Sequence, residues 1–276
     1  VNKFFGAAAA LWSLLFSGAA LAADGPLGQP HPWQLGLQDG VTMLKDGIGD
    51  FHNLLLVIIT VITVFVMVLL VYVMVKFNAK ANPNPSRTTH HTLIEVVWTV
   101  VPILILVVIA VPSFKRLYEQ EQIPEVGLTV KAIGKQWYWS YEYPDQGNFT
   151  FDATIVPEKD LKPGQPRLLE TDNAVVVPVD TNIRVIITAA DVIHAWTVPA
   201  FGVKKDAVPG RLNEVWFNAR REGTYYGQCS ELCGSLHGFM PIKVEVVSKE
   251  RFAAWVEEAK KRFAQADAPA PQVAAK

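Results

Sequence analysis

Gln228-Cys229-Ser230-Glu231-Leu232-Cys233-Gly234-Ser235-Leu236-His237-Gly238-Phe239-Met240 holds both cysteines of the chain, with a histidine and a methionine close behind them. Read as spacing, it is C-x3-C-x3-H-x2-M. Two thiolates, an imidazole and a thioether are soft to borderline donors, a set that favours copper over calcium or magnesium. Gly227, Gly234 and Gly238 interrupt the segment, so it reads as a loop between strands and not as a helix. A mononuclear blue-copper site takes one Cys, two His and a weak axial Met. This loop has one cysteine more and one histidine fewer. A second imidazole must come from elsewhere, and His194, in Asp191-Val192-Ile193-His194-Ala195-Trp196, is the best candidate. Two cysteines alone in an exported domain most often close a disulfide. His237, Met240 and His194 beside them turn the reading to copper.

Around this loop the sequence is a succession of short β runs separated by Pro, Gly, Asn and Asp. Leu128 to Ile133, Gln136 to Tyr143, Ala174 to Val179, Ile183 to Thr188, Val192 to Val198, Glu214 to Asn218, Thr224 to Gln228 and Ile242 to Val247 all qualify. Their number and spacing predict a β-sandwich or Greek-key barrel over residues 127–247, with the cysteine loop joining the last two strands. After it, Phe252, Trp255, Val256, Ala259 and Phe263 recur at helical spacing behind a Ser248 N-cap, predicting a helix over 248–264. The Ala/Pro/Gln-rich residues 265–276 read as a disordered tail.

Upstream the character changes. Of the 276 residues, 50% are hydrophobic, and the mean hydropathy is +0.21, which leans towards a membrane protein. Leu54 to Val75 carries no charge and is long enough to cross a bilayer as a helix. Leu93 to Phe114 is a second span, with Glu95 near one end and Pro102 inside it, where a kink is tolerated. The reading is a hairpin over 51–116, with helices at about 54–77 and 93–114. The connection carries Lys80 and Arg87, with Lys76 just before it and no acid, and so faces the cytoplasm. Residues 1–22 read as a secretory signal: Lys3, an apolar run from Ala7 to Phe16, and Ala20-Leu21-Ala22 as an A-x-A cleavage site. Residues 23–50 are then an extended segment outside the membrane. The net charge of -1 and the lack of any basic run argue against nucleic acid as a partner.

Several separate blocks resemble subunit II of aa3-type haem–copper cytochrome c oxidases. They are His91-Thr92-Leu93-Ile94-Glu95-Val96-Val97-Trp98, Gln136-Trp137-Tyr138-Trp139-Ser140-Tyr141-Glu142-Tyr143, Asp191 to Trp196, Asp206-Ala207-Val208-Pro209-Gly210-Arg211 and the cysteine loop. With the two spans they cover roughly residues 50–250 in unchanged order. The resemblance implies a membrane-anchored, mainly β protein: a transmembrane hairpin, a cupredoxin-like Greek-key β-sandwich and a C-terminal helix. It implies a bacterial inner-membrane location with the sandwich on the periplasmic side. It also implies a dinuclear copper centre, CuA, with Cys229 and Cys233 bridging both metals. His194 and Met240 would complete one copper, and His237 with the backbone carbonyl of Glu231 the other. The Glu231 side chain would reach a Mg or Mn ion shared with subunit I, while haems and CuB belong to subunit I alone. Trp137 is the implied point of electron uptake from cytochrome c. Glu142, Asp145, Asp172 and Asp191 match or lie near acidic docking positions, and Glu95 matches the mouth of a proton channel in subunit I. Subunits I and III, cytochrome c and the lipid bilayer are the implied partners.

The implied function is to take electrons from cytochrome c at CuA and pass them to haem a, for oxygen reduction coupled to proton pumping. No C-x-x-C-H motif follows the sandwich, so a fused cytochrome c is not expected. Three other readings compete: a membrane-tethered CuA carrier similar to that domain of nitrous-oxide reductase, a mononuclear cupredoxin, and a metal-free assembly protein with a Cys229–Cys233 disulfide.

Overall fold

The computed structural model describes residues 28–263; the expected signal over 1–22 and the tail over 265–276 lie outside the described residues. Among the described residues two long helices come first, α1 (Met43–Lys76) and α2 (Thr92–Glu121). Both are longer than the sequence predicts. Helix α1 begins at 43 and not near 54, because Thr42 caps it by accepting a hydrogen bond from the Lys45 N–H at 3.0 Å and Asp46 sits in its positive first turn. Residues 43–50, expected to be extended, are therefore helical. Helix α2 runs past 114 to Glu121 on a polar last stretch. Along the apolar windows of both helices nothing is buried against the rest of the chain. Helices apolar all round need a covering other than water, and two such spans side by side anchor the protein in a membrane.

Ten strands follow among the described residues: β1 (Leu128–Lys135), β2 (Tyr138–Tyr143), β3 (Phe149–Ala153), β4 (Val175–Pro178), β5 (Ile183–Ala189), β6 (His194–Val198), β7 (Val203–Ala207), β8 (Asn213–Phe217), β9 (Gly223–Gln228) and β10 (Pro241–Val247). One sheet has the order β3-β2-β1-β5-β8, a second β4-β10-β9, and β6 pairs with β7 in a ribbon. Parallel pairings of β1 with β5 and β4 with β10 break the hairpin meander, as a Greek-key sandwich requires. Val130, Trp139, Val185 and Ile187 of the first sheet share one apolar cluster with Val175, Val177, Tyr225, Ile242 and Val244 of the second. That cluster is the core between two sheets.

Two strands escape the sequence reading. In β3 the residues Phe149, Phe151 and Ala153 alternate into the core as a strand should. In β7 the exposed or half-buried Lys204, Lys205 and Asp206 disguise a short edge ribbon. The run from Gln136 to Tyr143 also needs correction: Gln136 and Trp137 are the two-residue tip of the β1–β2 hairpin, between the paired Lys135 and Tyr138. Trp139, Tyr141 and Tyr143 are buried in the core, while Trp137 at the hairpin tip is half-buried and packs against its edge.

The final helix, α3 (Lys249–Phe263), lays Trp255 and Phe263 on the aromatic face of β2 and β3. The outer ends of α1 and α2 are fastened to the sandwich. Thr42 Oγ1 donates to the Phe201 carbonyl at 2.7 Å, Arg220 pairs with Asp46, Trp216 Nε1 donates to the Glu119 carbonyl at 3.2 Å, and Lys205 pairs with Glu121 at 3.0 Å.

Candidate metal centre

The loop between β9 and β10 is pinned at both ends. Cys229 N–H donates to the Met240 carbonyl at 2.9 Å, closing the loop's neck, and Ser230 N–H donates to the Ala195 carbonyl at 3.0 Å, tying the loop to β6. Because β6 begins at His194, this second bond brings the distant imidazole to the first cysteine. Strand β9 approaches β6 closely at Gly227, where any side chain would run into the Thr197 carbonyl.

Both cysteines are buried and free, with their sulfurs 3.8 Å apart, well beyond the roughly 2.05 Å of a disulfide. Each sulfur has its own imidazole. His194 Nδ1 lies 3.8 Å from Cys229 Sγ, and His237 Nδ1 lies 3.5 Å from Cys233 Sγ. The Glu231 carbonyl oxygen is 3.4 Å from Cys229 Sγ. Met240 and His194 are wholly buried, His237 is half-buried, and the Glu231 side chain is exposed. The ligand atoms of His194, Cys229 and Cys233 all lie within 4.8 Å of one another, close enough to share a metal ion.

The electrostatics of the site favour a cation. Burial opposes ionisation of the Cys229 thiol, but hydrogen bonds from His194 and the surrounding backbone outweigh it and bring its pKa down to about 6. Burial and then the charge on Cys229 push Cys233 up to about 12. One thiolate forms readily and resists the second, a conflict that a positive ion between the sulfurs relieves. Two thiolates, two imidazoles and a buried thioether make a soft donor set, so the residues present fit copper.

The other sequence-predicted residues fall in different places. Trp137 is half-buried at the hairpin tip, and its Nε1–H donates to the Cys233 carbonyl at 3.2 Å. Asp191 is also at the centre, bonded to His194 Nε2 at 2.9 Å. Glu142 pairs with Lys131 at 2.8 Å. Asp145 accepts from the Thr129 N–H near the start of β1, roughly 20 Å of strand from Trp137 at the other end. Asp172 accepts from the Thr154 N–H at 2.7 Å. Glu95 lies on α2, where its carboxylate accepts from the His91 N–H at 3.2 Å while His91 Nδ1 accepts from the Ile94 N–H, a reciprocal cap.

The sequence reading missed Gln136, whose Nε2 donates to the Cys233 carbonyl at 2.9 Å beside Trp137. It also missed an apolar rim, with Ile193, Leu232, Leu236 and Phe239 exposed around the loop. Leucines and a phenylalanine flanking the ligands are visible in the sequence, but only the fold turns them all outward.

Comparison with known proteins follows the same division of the chain. Residues 128–247 match the family model described as cytochrome c oxidase subunit II, periplasmic domain, and residues 30–116 match that for its transmembrane domain. A probable cytochrome c oxidase subunit 2 of Rickettsia bellii is 50% identical over 243 residues, covering 88% of each chain. Cytochrome c oxidase subunit 2 of Oenothera berteroana is 52% identical over 232 residues, covering 82% of this chain and 90% of its own. The crystal structure of the periplasmic domain of cytochrome oxidase subunit II from Bradyrhizobium japonicum shares 60% identity. It covers 51% of this chain and 99% of its own, with a TM-score of 0.49.

Proposed function

This chain belongs to the cytochrome c oxidase subunit II family, and from that premise we propose that its cysteine loop holds the dinuclear CuA centre through which the oxidase receives electrons from cytochrome c. The observation that carries the reading is the pairing of two free, buried sulfurs, each with an imidazole of its own. Cys229 and Cys233 would bridge the metals, His194 and Met240 complete one, and His237 with the Glu231 carbonyl complete the other. Copper held by these residues would supply reversible one-electron chemistry, for delivery of electrons to haem a of subunit I. The chain's own part is to keep the donors dry and fixed, so that little has to move when charge arrives. With all its side-chain ligands but His237 buried, the site offers no open position to a small substrate.

The same reading gives roles to residues at its edges. Trp137 takes up the electron, its indole joined to the Cys233 carbonyl by one hydrogen bond. The apolar rim excludes water at the contact. Glu142, Asp145, Asp172 and Asp191 steer the lysines of cytochrome c towards it. The exposed Glu231 carboxylate is a hard donor suited to a Mg or Mn ion at the boundary with subunit I. Glu95 delivers protons to the channel in that subunit, supporting proton pumping by the whole oxidase. Subunits I and III cover the apolar helices, and the sandwich stands on the periplasmic side of the bacterial inner membrane.

Rapid mixing of the assembled oxidase with reduced cytochrome c tests the order of events. The copper absorption should bleach before haem a becomes reduced. Haem reduction preceding any change at copper would overturn the reading.

A further inference from the structure

We propose that Gly134, Trp139 and Asp191 form a seat that sets the orientation and tautomer of the His194 imidazole, and so tune the metal centre without touching it. The inference rests on His194 being a copper ligand, and it goes beyond that reading by assigning residues that touch no metal.

The floor of the seat is Gly134. A Cβ at that position would lie 2.8 Å from Cδ2, 2.9 Å from Cγ and 3.0 Å from Cβ of His194, closer than side chains tolerate. Strand β1 cannot slide to make room, since Gly134 pairs with Trp139 on one side and Ala189 on the other. Its carbonyl also accepts the Ala190 N–H at 3.0 Å, just before Asp191. Glycine is needed here for closeness of approach and not for an unusual backbone angle. The wall is Trp139, fully buried, whose ring meets that of His194 edge-on at 6.0 Å and 61°.

The back of the seat is Asp191. Its Oδ1 accepts from His194 Nε2 at 2.9 Å and from the Val192 N–H at 2.6 Å, and its Oδ2 accepts from the Gln136 N–H at 2.7 Å. A carboxylate on Nε2 keeps the proton there and leaves the Nδ1 lone pair facing the Cys229 sulfur, the direction a metal would occupy. The same carboxylate holds the hairpin tip, where Gln136 and Trp137 grip the Cys233 carbonyl. One side chain therefore keeps both halves of the centre in register. A solvated docking acid has no need of three hydrogen bonds aimed at a ligand and its neighbours.

The test uses the full-length chain in detergent with no cytochrome c present. The variants are Gly134→Ala, Asp191→Ala, Asp191→Asn and, as a control for lost charge, Glu142→Gln. Copper per chain, copper affinity against a competing chelator and the paramagnetic spectrum are measured. Gly134→Ala and Asp191→Ala should lower copper affinity about 10- to 100-fold and alter the hyperfine pattern. Asp191→Asn, which can still accept the Nε2 proton, should fall between, and Glu142→Gln should match the parent. Should Gly134→Ala not fold, the two Asp191 variants decide. Parent-like affinity and spectrum in Asp191→Ala would overturn the seat and leave Asp191 a docking acid only. A parent chain that binds no copper pair would overturn the copper reading beneath it, a failure the metal count identifies separately.

Discussion

At Trp137 a single hydrogen bond joins a surface ring to the backbone of a buried ligand. Replacing it with Phe keeps an aromatic ring at the hairpin tip but removes the N–H that reaches Cys233. Electron uptake from cytochrome c should slow by about tenfold or more, some 1.4 kcal/mol in activation free energy. Copper content and spectrum should be retained, and stopped-flow reduction beside metal analysis checks both. Glu95 allows a similar separation of roles. It caps α2 through the His91 N–H, and Gln can make the same bond without carrying a proton. Glu95→Gln should therefore preserve assembly and slow proton uptake by the oxidase; uptake at the parent rate would remove Glu95 from the proton path. The candidate donors could be picked out from the sequence, because few residue types bind soft metals and five such residues, Cys229, Cys233, His237, Met240 and His194, fall in one loop and one strand. The seat proposed for Gly134 and Asp191 was not legible there, since Asp191 reads in sequence only as a docking acid and its contacts with His194 and Gln136 exist only once β1, β2 and the turn before β6 meet.

Among the elements, the strands show what pattern can and cannot reveal. Alternation placed most of the sandwich. It began the second strand too early, taking in Gln136 and Trp137, which form the hairpin tip before Tyr138. It missed β7, because an edge ribbon needs no apolar alternation when hydrogen bonds to β6 hold it. A polar cluster behind the cysteine loop went equally unseen. Glu170, 1% exposed at its side chain, accepts from Lys243 at 2.6 Å and from the Tyr226 hydroxyl at 2.8 Å, fastening the segment before β4 to β9 and β10. Removing the cation strands a buried carboxylate, so Lys243→Ala should lower stability by about 3 kcal/mol in denaturant titrations. Burial opposes the charge on Lys243, but Glu170 and Glu245 outweigh it and hold its pKa above the ordinary lysine value. A raised folded pKa means the lysine's contribution is complete below about pH 10 and is lost as pH rises through the folded value. Stability should fall on that alkaline side more steeply in the parent than in Lys243→Met.

For the molecule as a whole, the hairpin is fastened directly to the sandwich that carries the cysteine loop. Thr42, Asp46, Glu119 and Glu121 each bond across that junction. In the proposed function, charge around the site serves encounter with cytochrome c and not chemistry. Neutralising Glu142, Asp145 and Asp172 together should lower the association rate with cytochrome c and flatten its dependence on ionic strength, with copper content unchanged. An unaltered salt dependence would remove these acids from docking. The division into anchor, sandwich and covering helix was readable in outline because hydropathy and strand spacing are coarse signals. The early start of α1 was not, since residues 43–53 are helical by capping and by docking on the sandwich, beyond the apolar span. The proposed function requires that Cys229 and Cys233 share a pair of copper ions. Its most direct test loads the full-length chain with copper, counts the metal and records the paramagnetic spectrum of the oxidised form. A copper pair per chain is expected, with one unpaired electron coupled equally to both nuclei; hyperfine structure from a single copper, or a Cys229–Cys233 disulfide in the loaded protein, would overturn the assignment.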